Sequence, residues 1–259
     1  MRSRSEEEDG TAIANRTAYP RGKRVSLIPA DHACGLCPVR LQTFCGLLEA
    51  EDLARFKYQG STGRLKPGEP LFHEGDAADL VYNLTAGTLK LYKLLPDGRR
   101  QIIGFLLPGD FLGTAPGDHA FSAEAVEPAE YCRFARARFD AFVDTHPEIG
   151  RELYLMAVHE LAAAREQMVL LGRKTAAERL ATFLLGLFDR ARARNADWEI
   201  VRLPMSRTDI ADYLGLTKET VSRSFTAFRT AGMIRLLPAD RVELLQRGPL
   251  EELASANAG

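Results

Sequence analysis

Hydrophobic and polar positions change their period along this chain, and the change separates regions of different structure. Between residues 60 and 136, short apolar runs alternate with turns that contain glycine and proline, such as 66–69 and 108–110. The clearest runs are 79–85, 88–95 and 101–107. Short strands with regular turn signals are typical of a small antiparallel barrel or roll. We therefore predict an antiparallel β domain in this region.

From Pro147 onwards, apolar residues recur every three or four positions, which is the period of an α-helix. The apolar stripe consists of Leu153, Ala157, Leu161, Ala164, Met168 and Leu171. Proline is favoured in the first helical turn and glycine near the end, so Pro147 and Gly172 mark the two ends. A helix that packs only on its own barrel would explain the stripe. Its narrowness and length favour a coiled-coil seam between two subunits.

A capping-box pattern at Thr175 predicts the start of a helix. Farther along the chain, two short helices around a tight turn are predicted within 206–229. Ser206 and Thr217 are positioned to cap the two helices, and Gly215 permits the turn between them. The inward face of the second helix carries Val221, Phe225 and Phe228. This pattern is typical of a DNA-binding helix-turn-helix, in which the second helix lies in the major groove.

The start and outer face of that second helix carry the side chains that we predict to contact DNA. They are Thr217, Lys218, Glu219, Ser222 and Arg223. Arginine can bind guanine through two hydrogen bonds, glutamate can accept one from cytosine, and serine can contact a base or a phosphate. Alternation over 233–245 around a turn adds a winged hairpin. An ordinary helical hairpin with a charged face would show a similar pattern, but the caps and the wing favour DNA binding.

Composition limits the class of protein. With 34 basic and 35 acidic residues the formal net charge is −1, which excludes a globally basic nucleic-acid binder but not a local basic face. No apolar run reaches the roughly 18 residues of a membrane helix, and no signal peptide is visible. We expect a cytoplasmic protein that does not bind membranes. A Walker loop, GxSxG and HExxH are absent, so we do not expect an enzyme.

Four cysteines are the strongest candidate chemistry outside the helix-turn-helix. Cys34, Cys37 and Cys45 are close in sequence, and Cys132 lies in a strand-like run farther along the chain. In a cytoplasmic chain, clustered cysteines favour metal binding or redox chemistry over disulfides. Thiolate sets suit zinc or iron–sulfur clusters, and spacing alone does not separate the two. Incidental thiols, with Cys132 as a small buried apolar residue, are the alternative.

Three segments together resemble the Crp/Fnr family of bacterial transcription regulators over about residues 30–247. They are 80–113, 174–183 and the helix-turn-helix. The resemblance implies an α+β chain with a cyclic-nucleotide-binding-like β-roll, a long dimerisation helix and a C-terminal winged helix-turn-helix. The predicted divisions are a mobile tail at 1–25, a cysteine-rich segment with the β-roll sensor domain at 26–146, the dimerisation helix at 147–173 and the DNA-binding domain at 174–259.

The Fnr branch of that family matches this chain in two places. Its recognition helices carry a glutamate followed by serine and arginine, as Glu219, Ser222 and Arg223 do here. The resemblance implies a homodimer on a TTGAT-N4-ATCAA-like palindrome, with Arg223 on guanine and Glu219 on the paired cytosine. The bound dimer would activate or repress genes of anaerobic or microaerobic metabolism, with contacts to RNA polymerase from surface loops such as 114–118.

The second match is the set of cysteines. Oxygen-sensing Fnr regulators hold a [4Fe-4S] cluster with three N-terminal cysteines and one distal cysteine. Cys34, Cys37, Cys45 and Cys132 share that order. The interval before Cys45 is longer than in the enterobacterial form. The resemblance implies that these four residues bind the cluster and that low oxygen favours DNA binding.

Other ligands of the sensor domain are alternatives to this interpretation. Cyclic-AMP-responsive relatives have an arginine where this chain has Phe121, so no cyclic nucleotide is expected. The thiols could instead form a zinc site or a disulfide switch. A haem-based sensor of nitric oxide or carbon monoxide would need an axial ligand, and no histidine lies in a recognisable haem motif. The candidates are His32, His73, His119, His146 and His159.

Overall fold

The computed structural model describes residues 34–113, 116–194 and 199–255. A β-roll, a long helix and a small winged helical domain follow one another along the chain. The tail predicted at 1–25 lies outside the described residues. Within these three ranges, no helix is long and apolar enough to cross a membrane.

The roll consists of two antiparallel sheets that enclose an apolar core. One sheet joins Gly60–Leu65 (β1), Ala129–Ala135 (β8), Leu80–Ala86 (β3) and Phe111–Leu112 (β6) in that order. The other joins Pro70–Phe72 (β2), Ser122–Ala125 (β7), Leu89–Leu94 (β4) and Arg100–Leu106 (β5). Both sheets contribute to the core, with Leu84 and Tyr131 from the first and Leu89 and Ala123 from the second. The predicted antiparallel roll is therefore confirmed, and the three clearest apolar runs are β3, β4 and β5.

Helices precede and follow the strands of the roll along the chain. Two short 3₁₀ helices, Arg40–Gln42 and Phe44–Leu47, precede α1 (Ala50–Tyr58), and α2 (Arg136–Asp144) follows β8. The long helix α3 runs over Pro147–Arg173, with Pro147 in its first turn as the sequence predicts. Gly172 lies inside the last turn and is not the cap.

The end of α3 is set by the start of the next helix. Lys174 takes an extended conformation, which leaves Thr175 to cap α4 (Ala176–Ala193). The capping box is present, because Thr175 accepts a hydrogen bond from the Glu178 amide and the Glu178 carboxylate accepts one from the Thr175 amide. This local exchange fixes the direction in which the C-terminal domain leaves α3.

The C-terminal domain is a winged helix-turn-helix, as predicted. It contains α5 (Arg207–Leu214), α6 (Lys218–Thr230) and α7 (Arg247–Ser255), with a sheet of β9 (Ile200–Arg202), β10 (Ile234–Leu237) and β11 (Arg241–Leu244). Gly215 ends α5 in the left-handed conformation, with φ 62°, where a Cβ would be strained. The wing turns over 238–240, between the paired residues Leu237 and Arg241, and both Ala239 and Asp240 have positive φ. The third strand, β9, was not predicted.

Candidate thiol centre and nucleic-acid interface

All four cysteines line one small cavity between the N-terminal segment and the roll. Cys34, Cys37 and Cys45 lie on the segment that precedes α1, and Cys132 lies on β8 between β1 and β3. The cavity measures about 20 Å³, which is close to the room that one water molecule needs. The fold thus brings together thiols that are far apart in sequence.

A cap and a buried ring shape the segment that carries three of the thiols. Thr43 begins the second 3₁₀ helix, where its Oγ1 accepts a hydrogen bond of 3.2 Å from the amide of Cys45. The next residue, Phe44, is fully buried. Its ring packs edge-on against the rings of Phe56 on α1 and Phe111 on β6. Because Phe44 is held in the core, its neighbour Cys45 is held beside the roll.

Burial dominates the electrostatics of the thiols. It raises the pKa of Cys45 to about 12, and it also raises the pKa of Cys34 and that of Cys132. Lys57 acts in the opposite direction on the last two, and its Nζ donates a hydrogen bond of 3.4 Å to Cys132 Sγ. These thiols are therefore protonated at neutral pH, and a metal must displace their protons to bind.

The arrangement of the thiols bears on which metal group they could hold. A zinc ion needs four donors at about 2.0–2.3 Å from one point. In the part of the chain that the structure describes, no three His, Cys, Asp or Glu side chains converge enough to hold one ion as they stand. An iron–sulfur cluster takes its thiolates on different irons, so they need not meet at one point. Four thiols around one cavity therefore match a four-iron cluster in the number and kind of donors, while the cavity of about 20 Å³ is smaller than such a cluster.

The thiol cavity shares an apolar wall with the long helix. Cys34 and Phe44 belong to the same buried cluster as Ile149 on α3. Leu153 and Met156, one and two turns farther along α3, pack against that cluster. A displacement of the cysteine segment therefore changes the packing of the N-terminal half of α3.

A larger cavity, of about 370 Å³, lies between the roll and α3. Its described lining includes three carboxylates, on Asp110, Asp118 and Glu160. The guanidinium that lines it, on Arg190, is already ion-paired with Asp110. Phe121, at which no phosphate contact is expected from the sequence, is also in the lining. This excess of negative charge opposes a cyclic phosphate.

The histidines considered as haem ligands are dispersed. His119 and His159 line the larger cavity, but the His119 ring stacks on Phe72 with centroids 3.4 Å apart. His146 stacks on Phe142 beside α2, and His73 is exposed on the roll. His32 lies outside the described residues.

The apolar stripe of α3 is largely exposed in the single chain. The exposed members are Ala157, Leu161, Ala164 and Met168. The two ends of the predicted stripe are half-buried, because Leu153 packs on the thiol-side core and Leu171 on the core of the C-terminal domain. Tyr154 is 67% exposed and precedes Leu161 by one heptad. Tyr154 was not predicted, because the recurring pattern along this helix consists of leucine, alanine and methionine.

The outer face of α6 is open to solvent. Of the predicted DNA contacts, Ser222 is half-buried and the others are exposed, namely Thr217, Lys218, Glu219 and Arg223. Thr217 caps the helix by accepting a hydrogen bond of 3.2 Å from the amide of Thr220. The Thr220 hydroxyl in turn accepts one of 3.3 Å from Arg223. These contacts orient the start of α6, where a recognition helix meets base edges.

A buried ion-pair network ties the helix-turn-helix to the roll, and sequence reasoning did not find it. Asp209 on α5 is 7% exposed. Its Oδ2 accepts hydrogen bonds from the amide and hydroxyl of Ser206. Its Oδ1 lies 3.2 Å from Nζ of Lys90 on β4 and 3.0 Å from a guanidinium nitrogen of Arg100 on β5. One carboxylate therefore both caps α5 and joins two domains.

Comparison with known proteins agrees with this architecture. A family model described as the cyclic nucleotide-binding domain matches residues 62–146, and one described as the Crp-like helix-turn-helix domain matches residues 178–253. The nitrogen fixation regulation protein FixK of Bradyrhizobium diazoefficiens is 45% identical over 233 residues, which cover 90% of this chain and 98% of that protein. The chain belongs to the Crp/Fnr family of transcription regulators.

Two further Crp/Fnr-type proteins support the assignment. The transcriptional activatory protein AadR of Rhodopseudomonas palustris is 45% identical over 221 residues, which cover 85% of this chain and 92% of that protein. The structure of FixK2 from Bradyrhizobium japonicum superposes with a TM-score of 0.71 at 40% identity, covering 77% of this chain and 99% of that one. The chain is thus a DNA-binding regulator and not an enzyme.

Replacing the carboxylate that joins the two domains is expected to destabilise this Crp/Fnr regulator. Burial raises the pKa of Asp209, but the Ser206 hydrogen bond and the Lys90 charge outweigh burial and hold that pKa below its ordinary value. Asp209→Asn should lower the free energy of unfolding by about 2 kcal/mol at neutral pH, as measured by urea denaturation. A lowered carboxyl pKa stabilises the folded state above the ordinary value of about 3.9, so the difference should shrink as the pH falls below it.

The control is Asp140→Asn, which changes an exposed carboxylate on α2 and should leave the urea midpoint unchanged. Equal midpoints for the Asp209 variant and the unchanged protein would contradict a stabilising role for the network.

Proposed function

We propose that this regulator senses oxygen through a [4Fe-4S] cluster held by Cys34, Cys37, Cys45 and Cys132. Under low oxygen, it binds as a homodimer to a TTGAT-N4-ATCAA-like palindrome and activates or represses genes of anaerobic metabolism. The observation that carries the proposal is that Cys132, on a strand of the roll, lines the same cavity as the three N-terminal cysteines. A thiol switch in the same DNA-binding protein is an outcome that the binding test below separates, and metal and sulfide analysis separates a zinc site.

The cysteine set supports the proposal through its chemistry and position. The cluster, when bound, supplies a redox-active centre that oxygen can destroy. Each thiol must lose its proton first, which Lys57 assists at Cys34 and Cys132. Because the cavity is only about 20 Å³, we infer that the segment 34–48 lies farther from β8 when the site is filled. That segment consists of turns and short 3₁₀ helices, whereas β8 is hydrogen-bonded between β1 and β3, so we expect the segment to move and not the strand.

The packing around Phe44 supports a route from the cysteines to the dimer. A shift of the segment moves Phe44. Phe44 lies in the same group of packed hydrophobic side chains as Ile149, Leu153 and Met156 of α3. The opposite face of α3 carries the exposed stripe through Tyr154, Leu161 and Met168. In the proposed dimer, α3 thus contacts the sensor domain with one face and the second subunit with the opposite face. Coupling of this kind lets a change at the cysteines bias dimerisation and, through it, DNA affinity.

The exposed start of α6 supports the operator assignment. Arg223 and Glu219 are one turn apart on its outer face, where arginine can bind guanine and glutamate the paired cytosine. In a two-fold dimer the recognition helices would lie about 34 Å apart, one turn of DNA. No cyclic nucleotide is needed, which agrees with the acidic lining of the larger cavity. Activation would also require contact with RNA polymerase, for which the loop 114–118 is the candidate; residues 114 and 115 lie outside the described ranges.

Arg223→Ala is expected to weaken binding to the palindrome by roughly 1–3 kcal/mol and to remove the preference for guanine at its position. The reason is the loss of two hydrogen bonds to one base. Titration against the palindrome and against a guanine-substituted version measures both effects. Arg229→Ala, at an exposed arginine near the end of the same helix, is the matched control and should not change base preference. Equal weakening of Arg223→Ala on both sequences would make Arg223 a phosphate contact.

The experiment that tests the proposed function compares operator binding by anaerobically purified protein before and after exposure to air. We expect tight, sequence-selective binding without oxygen and a large loss of affinity in air that dithiothreitol alone does not reverse. Recovery by dithiothreitol alone would indicate a disulfide switch. Unchanged binding in air would contradict oxygen sensing and leave the DNA-binding role intact.

A further inference from the structure

We propose that Lys57 is a positioning residue of the thiol centre, whose ammonium stays beside Cys132 and offsets the negative charge that four thiolates gather there. This inference rests on the proposed function, since it concerns the filled site. The contact that motivates it is the 3.4 Å distance from Lys57 Nζ to Cys132 Sγ. Lys57 itself also lines the cavity.

The fold fixes Lys57 at that position. Its neighbour Phe56 is 1% exposed and stacks on Phe134 of β8, with ring centroids 4.0 Å apart. Phe134 and Cys132 are two residues apart on the strand, so their side chains point to the same face. The ring stack therefore holds α1 along β8, and the contact of Lys57 with Cys132 lies beside it. The ammonium is thus held near the thiol by packing and not by chance on a mobile surface.

A second donor reaches the thiols from the roll. Asn83 on β3 pairs in register with Cys132 on β8 and is 3% exposed. Its Nδ2 lies 3.8 Å from Cys45 Sγ, and its Oδ1 has no hydrogen-bond partner within the described residues. Asn83 thus supplies a buried N–H donor to the thiol cavity that it lines. Lys57 differs from Asn83 because it brings a positive charge to the thiols as well as an N–H donor.

The charge has a predictable effect on a filled site. Thiolates that burial removes from water repel one another, and a fixed cation nearby lowers that cost. Net charge and hydrogen bonds to the sulfurs also set the reduction potential of iron–sulfur groups. A more positive surrounding favours the reduced state, so removing the ammonium should lower the midpoint potential. It should also make oxidation in air easier.

The test uses the full-length protein purified without oxygen, as the unchanged chain and as Lys57→Met, Lys57→Arg and Lys57→Gln. The readouts are iron and sulfide per subunit, the midpoint potential in a redox titration, and the decay of visible absorption in air. We expect Lys57→Met to have a lower potential and a severalfold faster decay, with Lys57→Arg close to the unchanged protein. Lys57→Gln, which keeps an N–H donor without the charge, should resemble the methionine variant. The control is Lys66→Met, at an exposed lysine between β1 and β2.

The outcomes separate this inference from the proposed function. Absence of iron and sulfide from the unchanged protein would overturn the proposed function, and the role of Lys57 with it. If the unchanged protein holds both and Lys57→Met keeps its potential and decay rate, the role of Lys57 alone is wrong. If Lys57→Met holds no iron while Lys57→Arg holds a full complement, the requirement for the charge is supported.

Discussion

Cys132→Ala is expected to give a folded protein that holds no [4Fe-4S] cluster and binds the palindrome without oxygen only as weakly as aerated protein. Cys132 supplies the thiol from β8, so without it the three cysteines on the segment 34–48 lack a fourth thiol ligand from the roll. Loss of a half-buried sulfur should lower the free energy of unfolding by only about 1 kcal/mol. Iron and sulfide analysis, thermal unfolding and anaerobic DNA titration together measure the three expectations.

The matched control for this variant is Thr85→Ala. Thr85 lines the same cavity without a thiol, so its truncation removes a side chain of similar size and leaves the donor set complete. We expect this control to keep its iron, its sulfide and its anaerobic affinity. A Cys132→Ala protein that retained a full complement of iron and sulfide would remove Cys132 from the ligand set.

Leu161→Glu is expected to convert the dimer to monomers at micromolar concentration and to abolish tight binding to the palindrome. Leu161 is 52% exposed in the single chain, so the substitution costs little in the monomer. In a two-fold seam the change places two carboxylates in the contact and removes two leucines from it. We expect dimerisation to weaken by at least about 3 kcal/mol, roughly a hundredfold. Sedimentation equilibrium measures the association, and titration with one half-site and with the palindrome measures its effect.

Two control variants show whether a loss of dimerisation is due to the position of residue 161 or to the introduction of a glutamate as such. Leu161→Met keeps an apolar side chain in the stripe and should dimerise normally. Leu94→Glu makes the same chemical change at a leucine that is 63% exposed on β4, away from α3, and should also dimerise normally. A dimer of Leu161→Glu as tight as the unchanged protein would show that the subunits meet elsewhere.

Much of the architecture could be predicted because it depends on local sequence. The capping boxes at Thr175 and Ser206 need only side chains three residues apart, and Gly215 is required by the local backbone conformation. Strand length and turn signals were enough to indicate the roll. Short strands such as β6 and β9 were not found, because a few residues carry too little pattern and tertiary pairing decides their conformation.

Of the candidate thiol centre, only the four cysteines could be predicted from the sequence. Their gathering at one cavity depends on the register of β8, and the donor Lys57 reaches Cys132 because Phe56 stacks on Phe134. Neither contact has a signal in residue spacing. The network around Asp209 escaped notice for a similar reason, since its partners Lys90 and Arg100 lie more than one hundred residues away. The sequence pattern alone assigns Asp209 only to the N-terminus of its helix.

Metal and sulfide analysis of the purified protein tests most directly whether the four cysteines hold an iron–sulfur cluster. The protein is purified without oxygen, its iron, zinc and sulfide are counted per subunit, and its visible spectrum is recorded before and after air. We expect about four iron and four sulfide per subunit, with a broad visible absorption that air bleaches. A colourless protein that contains zinc, or no metal, would contradict the claim.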